Sequence, residues 1–409
     1  MTAPPTLLLI SNGHGEDVVA ARLARAFAEV RPDLRIRALP TVGDGGAYGD
    51  GPALRIGPLR RLPSGGMTMR GVAAFVADVR AGLVATTLAQ VRDLRAVRAD
   101  LTVAVGDAWC EALGLLPRAP LRYAVQTIVP GADRQVGSAV GIGALRERFT
   151  PLEVVLVRAA YRRVYVRDAA AATALRAAGV PGARSLGNPM MDGLSAAPLD
   201  VPSDGPRVVL LPGTRGHAGD TLRRMAEALS RLPCVTAVVP WAAGPLPPPP
   251  PGWTEGAGPY GAPVWCHGAR SIVVAPGRFA AALAWADLAI GTAGTAHEQA
   301  AGLGVPVVAF PAGDGHGDDF LAGQRRQLGE ALVVVAPTPV AVADAARTLL
   351  ADTDQRRRRG RAGRTRMGGP GAAAAIAADL LADASGAGLP PADASGVSAR
   401  VASAPGEAA

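Results

Sequence analysis

At 409 residues with 49% hydrophobic side chains, the chain is long enough for two domains of ordinary size, each with its own core. Its formal net charge is +8, yet all 42 basic residues are arginine, and the absence of lysine excludes a GKS or GKT phosphate loop, a Schiff base and a pyridoxal-phosphate anchor. Arginine in place of lysine, beside 51 glycines and 36 prolines, reads as composition bias, so the charge alone argues for no nucleic-acid partner and leaves a weak attraction to anionic lipid headgroups.

The apolar run Leu7 to Ile10 predicts a strand, and the Ala/Leu-patterned stretch Val18 to Val30 predicts a helix. Between them lies Ser11-Asn12-Gly13-His14-Gly15-Glu16-Asp17. A strand, a glycine turn and a helix N-terminus put bare backbone N–H groups, one imidazole and two carboxylates around one crevice. Runs at Arg35 to Leu39, Leu101 to Val105, Tyr123 to Val129 and Val164 to Val166 alternate with segments of helical period, which argues a βαβ sheet. Leu59 to Leu94 opens with the loop Pro63-Ser64-Gly65-Gly66 and is expected to continue as one long helix through Val72, Phe75, Val76, Val79 and Leu83. Its wide apolar face suits the core or a surface for a lipid-linked acceptor.

From Leu186 to Arg207 the composition shifts to Pro, Gly, Asp and Ser, which predicts the domain hinge. Arg207 to Leu211 then runs into Pro212-Gly213-Thr214-Arg215-Gly216, a second strand and phosphate-type turn. Val235 to Val239, Val264 to Cys266, Leu288 to Gly291, Val305 to Phe310 and Ala331 to Val335 predict further strands, and the prolines from 245 to 251 an exposed loop. A third turn, Gly291-Thr292-Ala293-Gly294-Thr295-Ala296, leads into a helix carrying His297, Glu298 and Gln299. Small residues let a phosphate approach the backbone, and Glu298 can bind a ribose diol. Val340 to Leu350 and Gly371 to Ala382 predict helices on either side of the cluster Arg356 to Arg366, read as a solvated face. Ala384 to Ala409 offers little to bury and is expected to be disordered.

Cys110, Cys234 and Cys266 are odd in number and widely spaced, which suits buried small hydrophobes in a reducing compartment. His217, His267 and His316 show no metal-ligand spacing. No basic segment precedes a long apolar one at the N-terminus, and the longest apolar stretch, Val72 to Val91, is broken by Asp78 and Arg80. A cytoplasmic protein is expected.

With these motifs in this order, the chain resembles the GT-B glycosyltransferases, and in particular the lipid-A-disaccharide-synthase-related proteins. The resemblance spans Leu7 to Leu381 and rests on SNGHGED, LPSGGM at Leu62 to Met67, LGNPMMDGL at Leu186 to Leu194, LLPGTR at Leu210 to Arg215, and GTAGTAHEQAAGLGVPVV from Gly291. It implies an α/β GT-B fold of two facing Rossmann-like domains with a cleft between them. On this reading residues 1–188 hold the acceptor, 189–383 hold the UDP-sugar, and 384–409 are a tail. It implies no cofactor and no metal, and peripheral association with the inner face of the membrane.

Glycosyl transfer needs a base for the acceptor hydroxyl, charge stabilisation for the departing diphosphate and a clamp on the nucleotide. Gly213, Thr214, Arg215, Thr292, Gly294, Thr295 and Ala296 are candidates for the diphosphate. The resemblance adds Glu298 on the ribose, with Gln299 beside it, and Gln324, followed by Arg325, toward the donor sugar. His14 and Asp107 are rival bases, with Glu16 a lesser option. His14 sits among glycines and titrates near neutral pH, whereas Asp107 ends a strand where α/β ligands bind. Asn12, Gly13, Gly15, Ser64, Gly65 and Gly66 are expected at the acceptor. The segment from Tyr123 to Gly137 departs from the family's pattern, on the acceptor side. Related folds also host UDP-sugar 2-epimerases and retaining enzymes, and a nucleotide-sugar-binding protein without turnover would keep Glu298 and Arg215 while tolerating loss of His14 and Asp107.

Overall fold

The computed structural model describes residues 3–60, 72–126, 149–195, 197–214, 217–292, 294–312 and 318–391. Ser64, Gly65, Gly66, Arg215 and the segment from 127 to 137 lie outside them. The chain forms two units: one runs to Asp192 and resumes at Pro370, and the other runs from Gly193 to Gly369.

In the first unit, seven strands form one sheet: β1 (Thr6–Ser11), β2 (Arg35–Pro40), β3 (Leu54–Arg55), β4 (Leu101–Val105), β5 (Leu121–Gln126), β6 (Arg163–Val166) and β7 (Ala183–Arg184). They are parallel and ordered 3-2-1-4-5-6-7. Leu7 to Ile10 and Leu101 to Val105 are buried throughout, as expected of central parallel strands covered on both faces. The helices are α1 (His14–Val30), α2 (Val72–Arg80), α3 (Leu83–Ala96), α4 (Ala108–Leu113), α5 (Pro151–Ala160) and α6 (Ala169–Ala177). Leu94, Cys110, Val154, Val157 and Leu175, from α3 to α6, share one core with Leu8 and Ile10. Strand order reverses between β1 and β4, which opens a crevice at their carboxyl ends.

The long helix expected after the glycine loop is instead α2 and α3, separated at Ala81-Gly82, where Gly82 takes a left-handed φ of 96°. Phe75, Val76 and Val79 of α2 are exposed and Asp78 is buried, so these three apolar side chains do not enter the core.

In the second unit, β8 (Arg207–Leu211), β9 (Val235–Val239), β10 (Thr254–Ala257), β11 (Pro263–His267), β12 (Arg270–Val274), β13 (Leu288–Gly291), β14 (Val307–Ala309) and β15 (Leu332–Val334) are ordered 10-11-12-9-8-13-14-15. All pairings are parallel except β10–β11 and β11–β12. The sequence reading missed β10, whose four residues are all exposed and carry no apolar period, and also β12. Here the order reverses between β8 and β13, the strands that feed the second and third glycine turns. Among the described residues of the unit there are six helices: α7 (Ala218–Leu229), α8 (Phe279–Trp285), α9 (Gly294–Gly302), α10 (Asp318–Leu328), α11 (Pro339–Ala351) and α12 (Thr353–Met367).

The arginine cluster is α12 itself, and four of its seven arginines donate to backbone carbonyls of neighbouring elements. Arg356 donates to the carbonyls of Leu349 and Leu350, Arg359 to that of Glu330, Arg364 to that of Leu303 at 2.9 Å and Arg366 to that of Arg326 at 3.3 Å. These arginines satisfy carbonyls at helix ends, while Arg357, Arg358 and Arg361 face solvent. The proline run carries no regular structure and is only partly exposed, with Pro250 buried. Cys110 is buried, but Cys234 is half-buried and Cys266 exposed, so only the first behaves as a core residue.

The last helix among the described residues, α13 (Ala372–Gly386), belongs to the first unit, not to the second where the sequence reading assigns it. Its Ile376, Ala377, Leu380 and Leu381 share a core with Val19, Leu23 and Phe27 of α1, across the sheet from α3 to α6. Asp379 and Asp383 accept from Arg163 at 2.6 and 2.8 Å, Arg184 and Arg162 add pairs at 2.8 Å, and Tyr165 and Tyr123 donate to the same carboxylates. The Asp192 carboxylate accepts from the backbone of Gly371 and, at 2.6 Å, of Ala373, so the chain's exit from this unit clasps its return. Helix runs through Ala384, expected to open a disordered tail, as far as Gly386, and Leu389 is buried. Among the described residues no helix is long and apolar enough to cross a membrane.

Candidate functional site

In the first unit, β1 is followed by Asn12 and Gly13, and the Gly13 φ of 111° is open to glycine and strained for other residues. This turn aims the chain into α1, whose first residue is His14. The Asn12 amide donates to Asp107 Oδ1 at 2.6 Å, joining the turns after β1 and β4. The same oxygen accepts from Trp109 N at 3.0 Å and caps α4. Glu16 lies over both turns: a Cβ placed on Gly13 would stand 2.9 Å from its Oε2, and one on Gly106 would stand 3.5 Å from its Cγ. Three residues expected in the chemistry, Asn12, Glu16 and Asp107, thus meet at the point where strand order reverses.

Asp17, the second carboxylate of the motif, turns away from that crevice. It is buried and accepts from Ser11 Oγ at 2.5 Å. The hydroxyl of Tyr48 lies 2.7 Å from Ser11 Oγ and, with the serine proton committed to Asp17, is the donor. Burial pushes the Asp17 carboxyl up to about 7, opposed by the Ser11 bond and reinforced by Asp44. The sequence did carry a signal for this burial, because Asp17 shares a helical face with the buried Ala20, Ala21 and Ala24.

A second buried carboxyl group adjoins Asp107. Gln126, the last residue of β5, donates its amide to Glu111 at 3.0 Å and to Glu153 at 2.6 Å. Burial and the charge of Glu153 push Glu111 well above the carboxylate range, and burial pushes Glu153 up to about 7, with Asp107 adding to the rise. Like charges this deep cannot both ionise cheaply, so the pair retains a proton at neutral pH.

In the second unit, the turns after β8 and β13 lie side by side, linked by Thr292 Oγ1 donating to the Pro212 carbonyl at 3.2 Å. Gly213 has a φ of 85° with open space where a side chain would stand. Thr214 and Thr295 are exposed, and Gly213, Gly294, Ala296 and Glu298 are half-buried, so all six are accessible from solvent. Thr292, Gln299 and Gln324 are buried. Helix begins at Gly294, earlier than the sequence reading places it, so Thr295 and Ala296 are helical and Glu298 is one turn in.

No protein-family model matches the chain, and no curated protein does. Solved structures match along nearly its whole length. A protein from Listeria monocytogenes assigned as a UDP-N-acetylglucosamine 2-epimerase aligns with TM-score 0.60 at 14% identity, over 96% of this chain and all of the other. MnaA of S. aureus, solved with UDP, aligns with TM-score 0.56 at 14% identity over 92% and 95%. The calicheamicin glycosyltransferase CalG4 aligns with TM-score 0.54 at 17% identity over 95% and 100%. At these identities the likeness is one of fold: the chain has two α/β domains with parallel, Rossmann-like sheets, the GT-B architecture.

Proposed function

We propose that the protein is a glycosyltransferase that moves a GlcNAc- or glucose-type hexosyl group from a UDP-sugar to a lipid-linked acceptor, related to the lipid-A-disaccharide synthases. The observation that carries this reading is the pair of adjoining turns in the second unit, where backbone and hydroxyls of Gly213, Thr214, Gly294 and Thr295 stand accessible at the reversal of strand order, with Glu298 one helical turn on. These residues would take the diphosphate and the ribose without a metal ion, with Arg215 as the cation. In the first unit, His14 or Asp107 would take the acceptor proton, and Asn12 holds Asp107 in place.

A lipid acceptor is favoured by where apolar side chains reach solvent. Phe75, Val76 and Val79 on α2, Val84 and Leu88 on α3, Trp109 on α4, and Leu152 and Val155 on α5 are exposed, Leu88 to 65%, whereas Val340 is the one such residue in the second unit among the described residues. These side chains would meet an anionic membrane surface.

The likeness to the Listeria protein favours a second reading, in which UDP-N-acetylglucosamine is turned over without an acceptor. Incubation with labelled UDP-sugars, with and without a lipid extract, separates the two. Sugar transfer that requires lipid supports the transferase, whereas release or isomerisation without lipid supports the alternative. Absence of any stabilisation by uridine nucleotides in a thermal-shift series overturns both.

A further inference from the structure

The resemblance assigns Gln324 to the donor sugar, but its amide is spent inside the protein. Gln324 is buried on α10, and its Nε2 donates to the carbonyl of Gly294 at 2.8 Å. That bond fixes which way the amide faces, because only the nitrogen can donate to a carbonyl. Its Oε1 must then be the atom 3.0 Å from His297 Nδ1, and since an amide oxygen only accepts, Nδ1 carries a proton.

His297 is fully buried in the first half of α9, on the face it shares with Ala300 and Ala301. Its ring fills the space beneath the end of β13. A Cβ on Gly291 would stand 2.5 Å from Nε2 and 2.9 Å from the Leu211 Cβ, so any other residue at 291 would collide with the imidazole or with β8. The ring therefore lies against the end of β13, the strand that feeds the turn into α9. Gln324 links it to Gly294, whose carbonyl lies one helical turn before Glu298. Thr292 is tied to Pro212, and Gln324 ties α10 to both His297 and Gly294.

We propose that His297, held by Gln324, is a positioning residue for nucleotide binding: it sets the first turn of α9 so that Thr295 and Glu298 meet a nucleoside diphosphate. This rests on the reading of the second unit as the UDP-sugar site. His297 itself touches no substrate in this scheme.

The test is UDP binding by calorimetry to wild type, His297→Asn, His297→Leu, Glu298→Ala and the His297→Leu/Glu298→Ala double variant. Asparagine places an N–H close to where Nδ1 stands, so His297→Asn should bind within about 3-fold of wild type, while His297→Leu should lose roughly 10-fold. If His297 acts through the first turn of α9, the loss in the double variant should fall short of the sum of the two single losses. Unchanged binding in His297→Leu, equal losses in the Asn and Leu variants, or losses that simply add would each overturn the inference while leaving the functional reading intact. No UDP binding by wild type overturns the functional reading and the inference with it. Nitrogen-15 spectra of the wild-type histidines give a check that needs neither nucleotide nor variant: a neutral His297 protonated on Nε2 instead of Nδ1 also overturns it.

Discussion

Asn12 and Asp107, on neighbouring strands and far apart in sequence, are joined by a hydrogen bond of 2.6 Å that fixes the Asp107 carboxylate over the crevice of the first unit. The same carboxylate caps α4. Asparagine also caps helices well, so Asp107→Asn should change stability by less than about 1 kcal/mol. Turnover measured in parallel for Asp107→Asn and His14→Ala identifies the base, which should lose about 10²- to 10⁴-fold. Full activity in both would remove both residues from that role.

Asp17 predicts a pH dependence of stability. Its folded-state pKa of about 7 lies above the ordinary 3.8, so the folded protein holds this proton more tightly than the unfolded chain does. The resulting stabilisation is complete below the unfolded value and is lost as pH rises through the folded one. Between pH 5 and pH 8 this group should withdraw roughly 3 kcal/mol from wild type and nothing from Asp17→Asn, which still accepts from Ser11. Urea denaturation at the two pH values tests this, and an equal difference between the proteins at both would refute it.

Glu298→Ala should weaken UDP binding by about 1–3 kcal/mol, the usual cost of a lost charged hydrogen bond. Calorimetry with UDP decides it, and undiminished affinity would take the ribose role away.

Leu380 is fully buried on α13 against α1. Leu380→Ala should cost about 3 kcal/mol, as large-to-small changes in a well-packed core do. If α13 packed elsewhere, hydrogen exchange in α1 and β1 would be unaffected. It should instead accelerate there, while α7 and β8 stay protected.

The alternation of strands and helices was legible because central parallel strands must be apolar on both faces, as Leu7 to Ile10 and Val208 to Leu211 are. The destination of α13 was not. An alanine-rich helix presents an apolar surface that any core accepts, and its address is written in Asp379 and Asp383, whose arginine partners lie some two hundred residues earlier. The glycine turns were legible as turns, and the structure brings Asn12, Glu16 and Asp107 together as the strand-end rule anticipates. The inward turn of Asp17 and His297 was readable from alanines three and four positions on, but only by weighing helical phase above the pull of the motif. The commitment of Gln324 to His297 and Gly294 was not readable at all, since it depends on how α10 lies against α9.

The clasp between Asp192 and the start of α13 has a consequence for how the protein is made. The second unit is one continuous stretch of chain and is complete as soon as Gly369 has left the ribosome. The first unit, though its sheet is synthesised earlier, still lacks the helix that covers one face of it. Translation therefore finishes the later-encoded unit first, and the N-terminal sheet must wait with α1 partly uncovered until the final helix emerges to close it.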